Sequence, residues 1–439
     1  MEIEMAQNFL IIGNGFDIAH GLKTQYPDFL SFCENYDENN PVSDISELNE
    51  EFSAFIKYNV WLRYFLKITW LPFQKRLDAT WIDFEKEVSE IIQVIEADSP
   101  KIKSAYRSKN ANEFWLELHG RRELDRFLLC FGEYDVDSHK YILSAENVTD
   151  LNSFLTFLYV QLRAFTRAFE IYCLKINQTA ITDPIIFSER GMLIRKAEAE
   201  RISSWQQFHA AKEHLHDDVE ELEQLRDKAD NRYYCLMSDI HPIDYLSMGR
   251  FSFVLSFNYT NTFERLYGDE KTKYCYIHGK AQENKECTNL ILGIDDNLSN
   301  GDESRNFQCV RFKKYYQRII FKTGAEYKDW LTAVANTENY VHIVGHSLDR
   351  TDYDVLYEFL SDSRFKIIVY YYNDKDFEEK IQRVIRLLAY KGGNGRDELI
   401  KRVHGKDWSI KFVYQYDETD GLFKAPTTST DEFLEVDAN

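Results

Sequence analysis

The two ends of the chain contain short runs of almost wholly apolar residues, rich in β-branched and aromatic side chains. Such runs are typical of strands that are buried on both faces of a parallel sheet. Segments of helical length lie between them, near 260–267, 352–359 and 375–389, so the pattern predicts an α/β fold. The apolar runs lie at 8–12, 251–257, 274–277, 289–292, 340–344 and 365–372. The strands expected to share one mainly parallel sheet are 8–12, 252–257, 274–277, 340–344 and 366–372.

The middle of the chain has a helical pattern instead. Apolar residues recur at helical spacing from Leu151 to Cys173, and a second stripe runs from Phe208 to Leu225. Residues 22–248 contain only three glycines, so few turns are available there. Further helices are expected near 47–70, 81–97 and 112–130.

These patterns divide the chain into a discontinuous domain and an insertion. We expect residues 1–39 and 249–416 to form the α/β domain, and residues 40–248 to form an all-helical insertion. Residues 417–439 are polar and are expected to be a loose tail. The apolar stripes of the insertion are long enough to pack helix against helix and to leave a face for another subunit. We therefore expect a homo-oligomer or a complex with a partner protein.

Composition limits the classes of function. Of the 439 residues, 44% are hydrophobic, which is enough for a large buried core and excludes a disordered or fibrous chain. The chain has 73 acidic and 53 basic residues, a net charge of −20. This charge repels a phosphate backbone and disfavours general nucleic-acid binding outside a local basic groove.

The cysteines and the apolar stretches indicate where in the cell the protein is located. The seven cysteines are scattered and none stands in a C-x-x-C pair, so a structural zinc ribbon has no ligands. The first residues do not resemble a secretory leader, and the most apolar stretch, 60–73, is interrupted by Arg63 and Lys67. We therefore expect a soluble, cytoplasmic protein with reduced thiols, no bound metal and no membrane span.

Four short motifs each follow a predicted strand, and in an open parallel sheet ligands bind beyond the carboxyl ends of the strands. The first motif is Gly13-Asn14-Gly15-Phe16-Asp17, a tight turn that brings the backbone close to a ligand and points N–H groups at an anion. It is a partial dinucleotide fingerprint, because the third glycine is missing. An ordinary strand-to-helix turn is the alternative.

The other three motifs place side chains at strand ends. Asn258, in Ser-Phe-Asn-Tyr-Thr-Asn-Thr, can hold a water molecule or a sugar hydroxyl, or it can cap the next helix. His278, followed by Gly279, suits a general base near neutral pH, or it is a structural histidine. Ser347, in Gly-His-Ser-Leu-Asp, can bond a phosphate or a ribose. A nucleophile elbow would need glycine in place of Asp349.

The order of these motifs resembles that of the sirtuin-like NAD-binding domain. More closely, four stretches resemble the AbiH family of bacterial abortive-infection proteins: IIGNGFDIAHGLKTQYPDFL, SFNYTNTFERLY, YIHGK and VGHSLDRTD. The resemblance implies a sirtuin-like, Rossmann-type, mainly parallel sheet with a large all-helical insertion. The stretch WIDFE at 81–85 also resembles an acidic element in relatives of this family, although a helix start explains its carboxylates equally well.

The resemblance also implies roles for individual residues. It makes His278 the catalytic base and lets Asn258 position a water molecule or the nicotinamide ribose. It places the bound dinucleotide against the glycine turn and the last motif, at Gly13, Asn14, Gly15, Phe16, Asp17, His346 and Ser347. Asp17 is a departure, because sirtuins have serine there. A carboxylate beside a diphosphate is unfavourable unless it turns away to cap its helix.

The function implied by the resemblance is that of an antiphage effector that hydrolyses NAD, with NAD as its substrate and without a metal. Protein deacylation is disfavoured because the chain lacks the zinc cysteines of sirtuin deacylases. Two alternatives stay open. One is a non-catalytic sensor that binds a nucleotide or ADP-ribose and acts through a partner. The other is a nuclease effector, against which the net charge counts.

Overall fold

A computed structural model describes the parallel sheet and part of the inserted segment. The residues described are 7–38, 41–67, 84–95, 132–135, 140–143, 151–178, 251–268, 270–283, 288–294, 309–334, 339–404 and 408–415. The helices expected near 112–130 and at 208–225, and the tail at 417–439, lie outside these residues.

Six parallel strands form the sheet at the centre of the fold. The strands of the described residues are β1 (Asn8–Ile12), β2 (Gly132–Asp135), β3 (Lys140–Leu143), β4 (Phe253–Ser256), β5 (Lys273–Tyr276), β6 (Asn339–Val344), β7 (Phe365–Tyr371) and β8 (Ile410–Tyr414). The order across the sheet is β5-β4-β1-β6-β7-β8, and all neighbours are parallel. The chain adds strands first on one side of β1 and then on the other, which is the strand order of doubly wound dinucleotide-binding folds.

Helices cover both faces of the sheet and build the insertion. The sheet domain contains α-helices Asn14–Ala19, Thr262–Tyr267, Lys314–Phe321, Tyr327–Ala333, Tyr353–Leu360, Asp374–Leu388 and Gly395–Val403, with short 3-10 helices Cys309–Phe312 and Arg350–Asp352. The other described helices are Tyr26–Glu34, Ser46–Tyr58, Val60–Lys67, residues 84–95 and Leu151–Asn177. Among the described helices, none is both long and apolar enough to span a membrane.

The central strand shows why the apolar runs predict this sheet. Phe9 and Ile11 join the core on one face, and Leu10 and Ile12 join the core on the other. Successive side chains of a strand point to opposite faces, so a strand with helices on both sides must be apolar at every position.

The insertion has a core of its own, built largely from aromatic rings. Phe52 and Phe165 are fully buried in it, and Phe29, which precedes the insertion, joins the same core with its ring centroid 5.3 Å from that of Phe165. Leu290 and Phe312 reach the same core from the sheet domain. The insertion therefore packs directly against the loops that follow β5.

Most of the predicted elements are confirmed. All five strands expected in one parallel sheet are present in it, although β4 and β5 are each shifted or shortened by one or two residues. The described parts of the helix expected at 81–97 and of the long stripe from Leu151 are helical, and the helix expected at 47–70 is divided at Asn59 into two helices, Ser46–Tyr58 and Val60–Lys67. The sequence pattern therefore predicted the fold class correctly.

Three details are wrong. The run at 289–292 is buried but forms no strand, because the Gln317 side chain bonds the N–H and C=O of Leu292 (3.3 and 3.0 Å) in place of a neighbouring strand. β8 was not predicted, because Lys411 interrupts its apolar pattern. The insertion is not all helical, because β2 and β3 pair as an antiparallel ribbon.

Candidate functional site

The carboxyl ends of four neighbouring strands are in register. Ile12 of β1 pairs with Ser256 of β4 and with Val344 of β6, and Ser256 pairs with Tyr276 of β5. The residues two positions beyond these pairs therefore follow one another along a single edge of the sheet. In strand order they are His278, Asn258, Asn14 and His346.

The glycine turn after β1 packs against the turn after β6. Gly15 donates its N–H to the carbonyl of Gly345 at 2.8 Å, and Gly13 donates to Val344 at 3.1 Å. A Cβ on Gly15 would lie 2.9 Å from the Gly345 backbone, and one on Gly345 would overlap the backbone nitrogen of Phe16. Gly345 also has a φ of +63°, which favours glycine. A side chain at Gly15 or at Gly345 would collide with the other turn, so both positions require glycine. The backbone N–H of Gly15 is already hydrogen-bonded within the protein.

Asp17 is buried in the same turn, and its carboxylate faces the loop after β4. Oδ2 accepts a hydrogen bond from the Thr260 hydroxyl, while Oδ1 has no hydrogen-bond partner in the described part of the chain. Burial raises the pKa of Asp17 to about 6, although Thr260, Thr262 and Asn258 oppose the rise. No side chain caps the short helix that follows Gly13, so Asp17 turns towards Thr260 and not towards the amides of its own helix.

The side chain of Asn258 is buried without a hydrogen bond. Its backbone N–H is bonded to the Ser256 hydroxyl at 3.1 Å, and only 3% of the residue is exposed. Neither the oxygen nor the nitrogen of its carboxamide is within hydrogen-bonding geometry of a partner among the described residues, although the side chain lies close enough to the Asp17 carboxylate to lower its pKa. A buried polar group left unpaired costs roughly 1–3 kcal/mol. Native proteins retain few such groups, and a ligand that completes the hydrogen bonds is one reason to keep one.

His278 forms a dyad with Asp352. Its Nε2 lies 3.0 Å from Asp352 Oδ1, and its Nδ1 makes no hydrogen bond to the described residues. Burial, followed by the charge of Lys314, lowers the pKa of His278, while Asp352 opposes this. Because an ionised carboxylate only accepts hydrogen bonds, Nε2 carries the proton of the neutral ring. The lone pair then lies on Nδ1, which is the form of a general base.

A second histidine approaches the same carboxylate. The backbone N–H of Leu348 donates to His346 Nδ1 at 2.9 Å, so the proton of the neutral ring is on Nε2, which lies 3.7 Å from Asp352 Oδ2. Burial lowers the pKa of His346 to about 4, although Asp352 opposes the change. His346 is therefore a neutral ring whose two nitrogens face groups of the protein.

A buried lysine completes the cluster. Lys314 Nζ lies 2.8 Å from Glu85 Oε1 and 3.5 Å from Asp352 Oδ1. Burial alone would raise the pKa of Asp352, but Lys314 and then His278 hold it well below its ordinary value. Asp352 is thus ionised at all physiological pH values and can stabilise an imidazolium on His278.

Aromatic rings and the insertion close over this cluster. The ring of Tyr259 lies 5.8 Å from that of His278 at an interplanar angle of 30°, and the ring of Phe169, from the long inserted helix, meets Tyr259 edge-on at 5.1 Å. Phe257 contacts both histidine rings, at 5.5 Å for His278 and 4.3 Å for His346. The base therefore lies between the sheet edge and the insertion, away from bulk water.

Ser347 is half-buried at the end of the last motif. Arg383 donates to its backbone carbonyl at 2.7 Å, which fixes the loop, and its hydroxyl makes no hydrogen bond within the described residues. That hydroxyl is available to a ligand at the edge between β1 and β6.

Two members of the site were not assigned from the sequence. Asp352 lies at the end of the stretch VGHSLDRTD, so its position in a motif was a signal, but nothing in the order of residues pairs it with His278. Lys314 belongs to no motif. Glu85 was noted only as an acidic element, with a helix start as the equal alternative; the structure shows it buried against Lys314.

The cluster can accept and release a proton, and it leaves polar atoms for a ligand. The described residues contain no group of three or more histidine, cysteine or acidic side chains arranged to hold a metal ion. What they offer is a neutral imidazole oriented by a carboxylate, an unpaired carboxamide at Asn258, and an unpaired carboxylate oxygen at Asp17.

Comparison with known proteins gives one match. A family model described as "Bacteriophage abortive infection AbiH" matches residues 9–373, which is more than four fifths of the chain. The matched region begins in β1, ends just beyond β7 and includes every residue of the site. No curated protein and no solved structure matches the chain.

Proposed function

The chain belongs to the bacteriophage abortive infection AbiH family, so its role is in abortive infection, a defence against phage; from this premise and the geometry of the site, we propose that it acts by hydrolysing NAD. The cluster at the carboxyl edge of the sheet is the proposed catalytic site. NAD is its substrate, and ADP-ribose and nicotinamide are its products.

The observation that carries the proposal is the unpaired carboxamide of Asn258 next to the His278–Asp352 dyad in strand order. A carboxamide supplies one donor side and one acceptor side, which suits a water molecule or a ribose hydroxyl. A neutral imidazole with its lone pair on Nδ1 can take a proton from that water. Both groups are buried, so bulk water is excluded and few water molecules can reach the base.

The proposed reaction needs few groups. The bond between ribose C1′ and the nicotinamide nitrogen breaks, and its electron pair leaves with the nicotinamide, which becomes neutral. A water molecule held by Asn258 forms the new C1′–O bond, and its proton passes to His278 Nδ1. Asp352 stabilises the resulting imidazolium, as the carboxylate partner of a histidine base does in hydrolases. Orientation of the water and the base together supplies the larger part of the acceleration.

The phosphates are proposed to lie between the glycine turn and the last motif. Because the Gly15 N–H is bonded to Gly345, the contacts come from the remaining groups of this edge, including the free hydroxyl of Ser347. Asp17 faces Thr260 and has a pKa raised to about 6 by burial, so a nearby anion meets a carboxyl that protonates readily. This reduces the conflict between Asp17 and a diphosphate.

The test measures free nicotinamide after incubation of the purified protein with NAD, with and without an extract of phage-infected cells as the source of a trigger. His278→Ala and Asn258→Ala should each reduce the rate by about 10²–10⁴-fold, the usual contribution of general-base catalysis and positioning. Asn35→Ala is the matched control, because Asn35 is exposed and bonds only to Ser31. Circular dichroism should show that all three variants fold.

One observation favours a second candidate, a nucleotide or ADP-ribose sensor without turnover. Beside the glycine turn, Asp17 stands where the sirtuin-like pattern has serine, so the chain departs from the catalytic pattern at this position. If the wild type binds NAD with its trigger present and releases no nicotinamide, hydrolysis is wrong and the sensor is correct. If it cleaves no NAD and binds neither NAD nor ADP-ribose, both candidates are wrong.

A further inference from the structure

One oxygen of Asp352 faces two donors. Oδ1 accepts from His278 Nε2 at 3.0 Å, and Lys314 Nζ lies 3.5 Å from the same oxygen. That second distance is at the outer limit of a hydrogen bond, whereas Lys314 Nζ is 2.8 Å from Glu85 Oε1. Glu85 therefore holds Lys314 more closely than Asp352 does.

The four residues that these contacts link come from different parts of the molecule. Glu85 lies in the helical run 84–95 of the insertion, whereas Lys314, Asp352 and His278 belong to the sheet domain. All four are buried, so their charges are poorly screened by water and their hydrogen bonds are charge-assisted. A change at Glu85 therefore reaches His278 through three successive contacts, Glu85–Lys314, Lys314–Asp352 and Asp352–His278.

We propose that Glu85 is a positioning residue for His278: it holds Lys314 away from Asp352 and so leaves Asp352 Oδ1 to orient the imidazole. The proposal rests on the proposed role of His278 as the base. It adds that the insertion controls how the His278 imidazole is oriented. A displacement of the helix at 84–95 therefore changes catalysis, although this helix does not touch the substrate.

The physical reason is competition for one acceptor. Without the Glu85 charge, Lys314 is a buried cation whose remaining close anion is Asp352, and a movement of less than about 1 Å gives it a full hydrogen bond there. Lys314 then takes the oxygen that orients His278. The His278 ring then loses its hydrogen bond to Asp352. Its protonated form also becomes less stable, because the nearby ammonium of Lys314 is no longer compensated by Glu85.

Within the described ranges, five charged or titratable groups surround His278. Asp352 raises its pKa, and Lys314 and Arg318 lower it. His346 lies on the far side of Asp352, and the half-buried ring of Tyr259 lies tilted against that of His278. Arg318 is paired with Asp354 at 2.7 Å, so it does not depend on Glu85. Removal of Glu85 thus acts on His278 through Lys314.

The experiment reads the histidine directly, in protein labelled with ¹⁵N-histidine and free of NAD. His278→Gln identifies its resonances. In Glu85→Gln, the pKa of His278 should fall by about one unit relative to the wild type, and the hydrogen-bonded Nε2 proton should exchange faster with water. Lys314→Met alone should raise the pKa of His278. The double variant Glu85→Gln/Lys314→Met should restore it to the wild-type value or above, because the competitor is gone.

The matched control is Glu170→Gln, which removes another buried carboxylate of the insertion, paired with Arg167 at 2.6 Å. It should leave the His278 resonances unchanged. If Glu85→Gln does not fold, Glu85→Asp, which withdraws the carboxylate by one methylene, should shift the pKa in the same direction. An unchanged His278 in the Glu85 variants, or a shift that Lys314→Met does not reverse, would overturn the proposal.

Turnover provides a second readout. If NAD is cleaved, Glu85→Gln should lower kcat by about tenfold with little change in KM, because Glu85 touches no substrate. The two proposals fail separately. An absence of nicotinamide release with a shifted His278 refutes NAD hydrolysis alone, whereas normal release with an unshifted His278 refutes the role of Glu85 alone.

Discussion

The carboxyl edge of the sheet has two halves that are built in different ways. On the side of β6 and β7, the loops are packed on each other and their polar groups are paired. Gly15 donates to Gly345, and Lys380 donates to the carbonyl of Tyr370 at 2.6 Å and to Asp376 at 2.7 Å. We refer to this as the closed half, defined by Gly13, Gly15, Gly345, His346, Asp376 and Lys380.

On the side of β4 and β5, buried polar atoms lack partners. Both carboxamide atoms of Asn258 and one oxygen of Asp17 are unpaired within the described residues, and Nδ1 of His278 makes no hydrogen bond to them. We refer to this as the open half, defined by Asp17, Asn258 and His278. Because unpaired groups cost stability, the open half gains most from a ligand, whereas the closed half is largely paired and keeps the Ser347 hydroxyl for one. Motifs of similar appearance thus serve mainly packing on one side and mainly recognition on the other.

The largest effect is expected in the closed half, at Gly345. Gly345→Ala should destabilise the protein by about 3–5 kcal/mol, because φ is +63° and the new Cβ would overlap the Phe16 backbone. Gly392→Ala is the control, since its φ is +88° but no atom lies within 4 Å of a Cβ there. It should cost about 1 kcal/mol. Equal losses in urea unfolding would show that the two turns do not depend on their close contact.

As the pH falls, the stability contributed by Asp17 in the open half should rise, and the stability contributed by His346 in the closed half should fall. Asp17 has a folded pKa of about 6, above its unfolded value, so its stabilisation is present below about pH 4 and is lost as the pH rises to 6. His346 has a folded pKa of about 4, below its unfolded value, so its contribution is lost as the pH falls from about 6.5 to 4. In the wild type the two effects partly cancel.

Single variants should separate these effects. In Asp17→Asn, stability should fall more steeply than in the wild type between pH 6.5 and 4, by about 2–3 kcal/mol across the window. His346→Asn, whose side-chain oxygen can still accept from Leu348, should instead lose less stability than the wild type does between pH 6.5 and 4.5. Urea unfolding across this pH range measures both. Parallel pH profiles for the two variants would contradict the assignment of opposite signs.

A smaller effect compares two buried asparagines. Asn59 bonds Gln161 O at 2.7 Å and accepts from Leu62 N at 3.0 Å, so Asn59→Ala should cost about 2 kcal/mol. Asn258→Ala removes two polar atoms that are unpaired within the described residues, and this gain offsets the small cavity it leaves, so it should not lower stability by more than about 0.5 kcal/mol. Thermal unfolding of both variants checks the difference. A large loss at Asn258 would mean that its carboxamide has a structural partner and that the open half is not prepared for a ligand.

Much of the fold could be predicted from the sequence because its signals are local. The runs at 8–12 and 340–344 are apolar at every position, since helices cover both faces of a parallel sheet, and the stripe from Leu151 has helical spacing. The run at 289–292 was misread because Gln317, distant in sequence, satisfies its backbone. β8 was not predicted from the sequence because an edge strand is less completely buried and so has a weaker apolar pattern.

The sequence by itself determined which residues reach the carboxyl edge of the sheet, because a parallel topology places all strand ends of one kind together. Only the tertiary structure decided what each does there. It paired His278 with Asp352, brought Glu85 of the insertion to Lys314, and set Gly15 against Gly345. Among the residues that the structure describes, it left the Asn258 carboxamide without a hydrogen-bond partner. These outcomes depend on distances and directions between side chains that are far apart in the chain, which no local pattern of residues encodes.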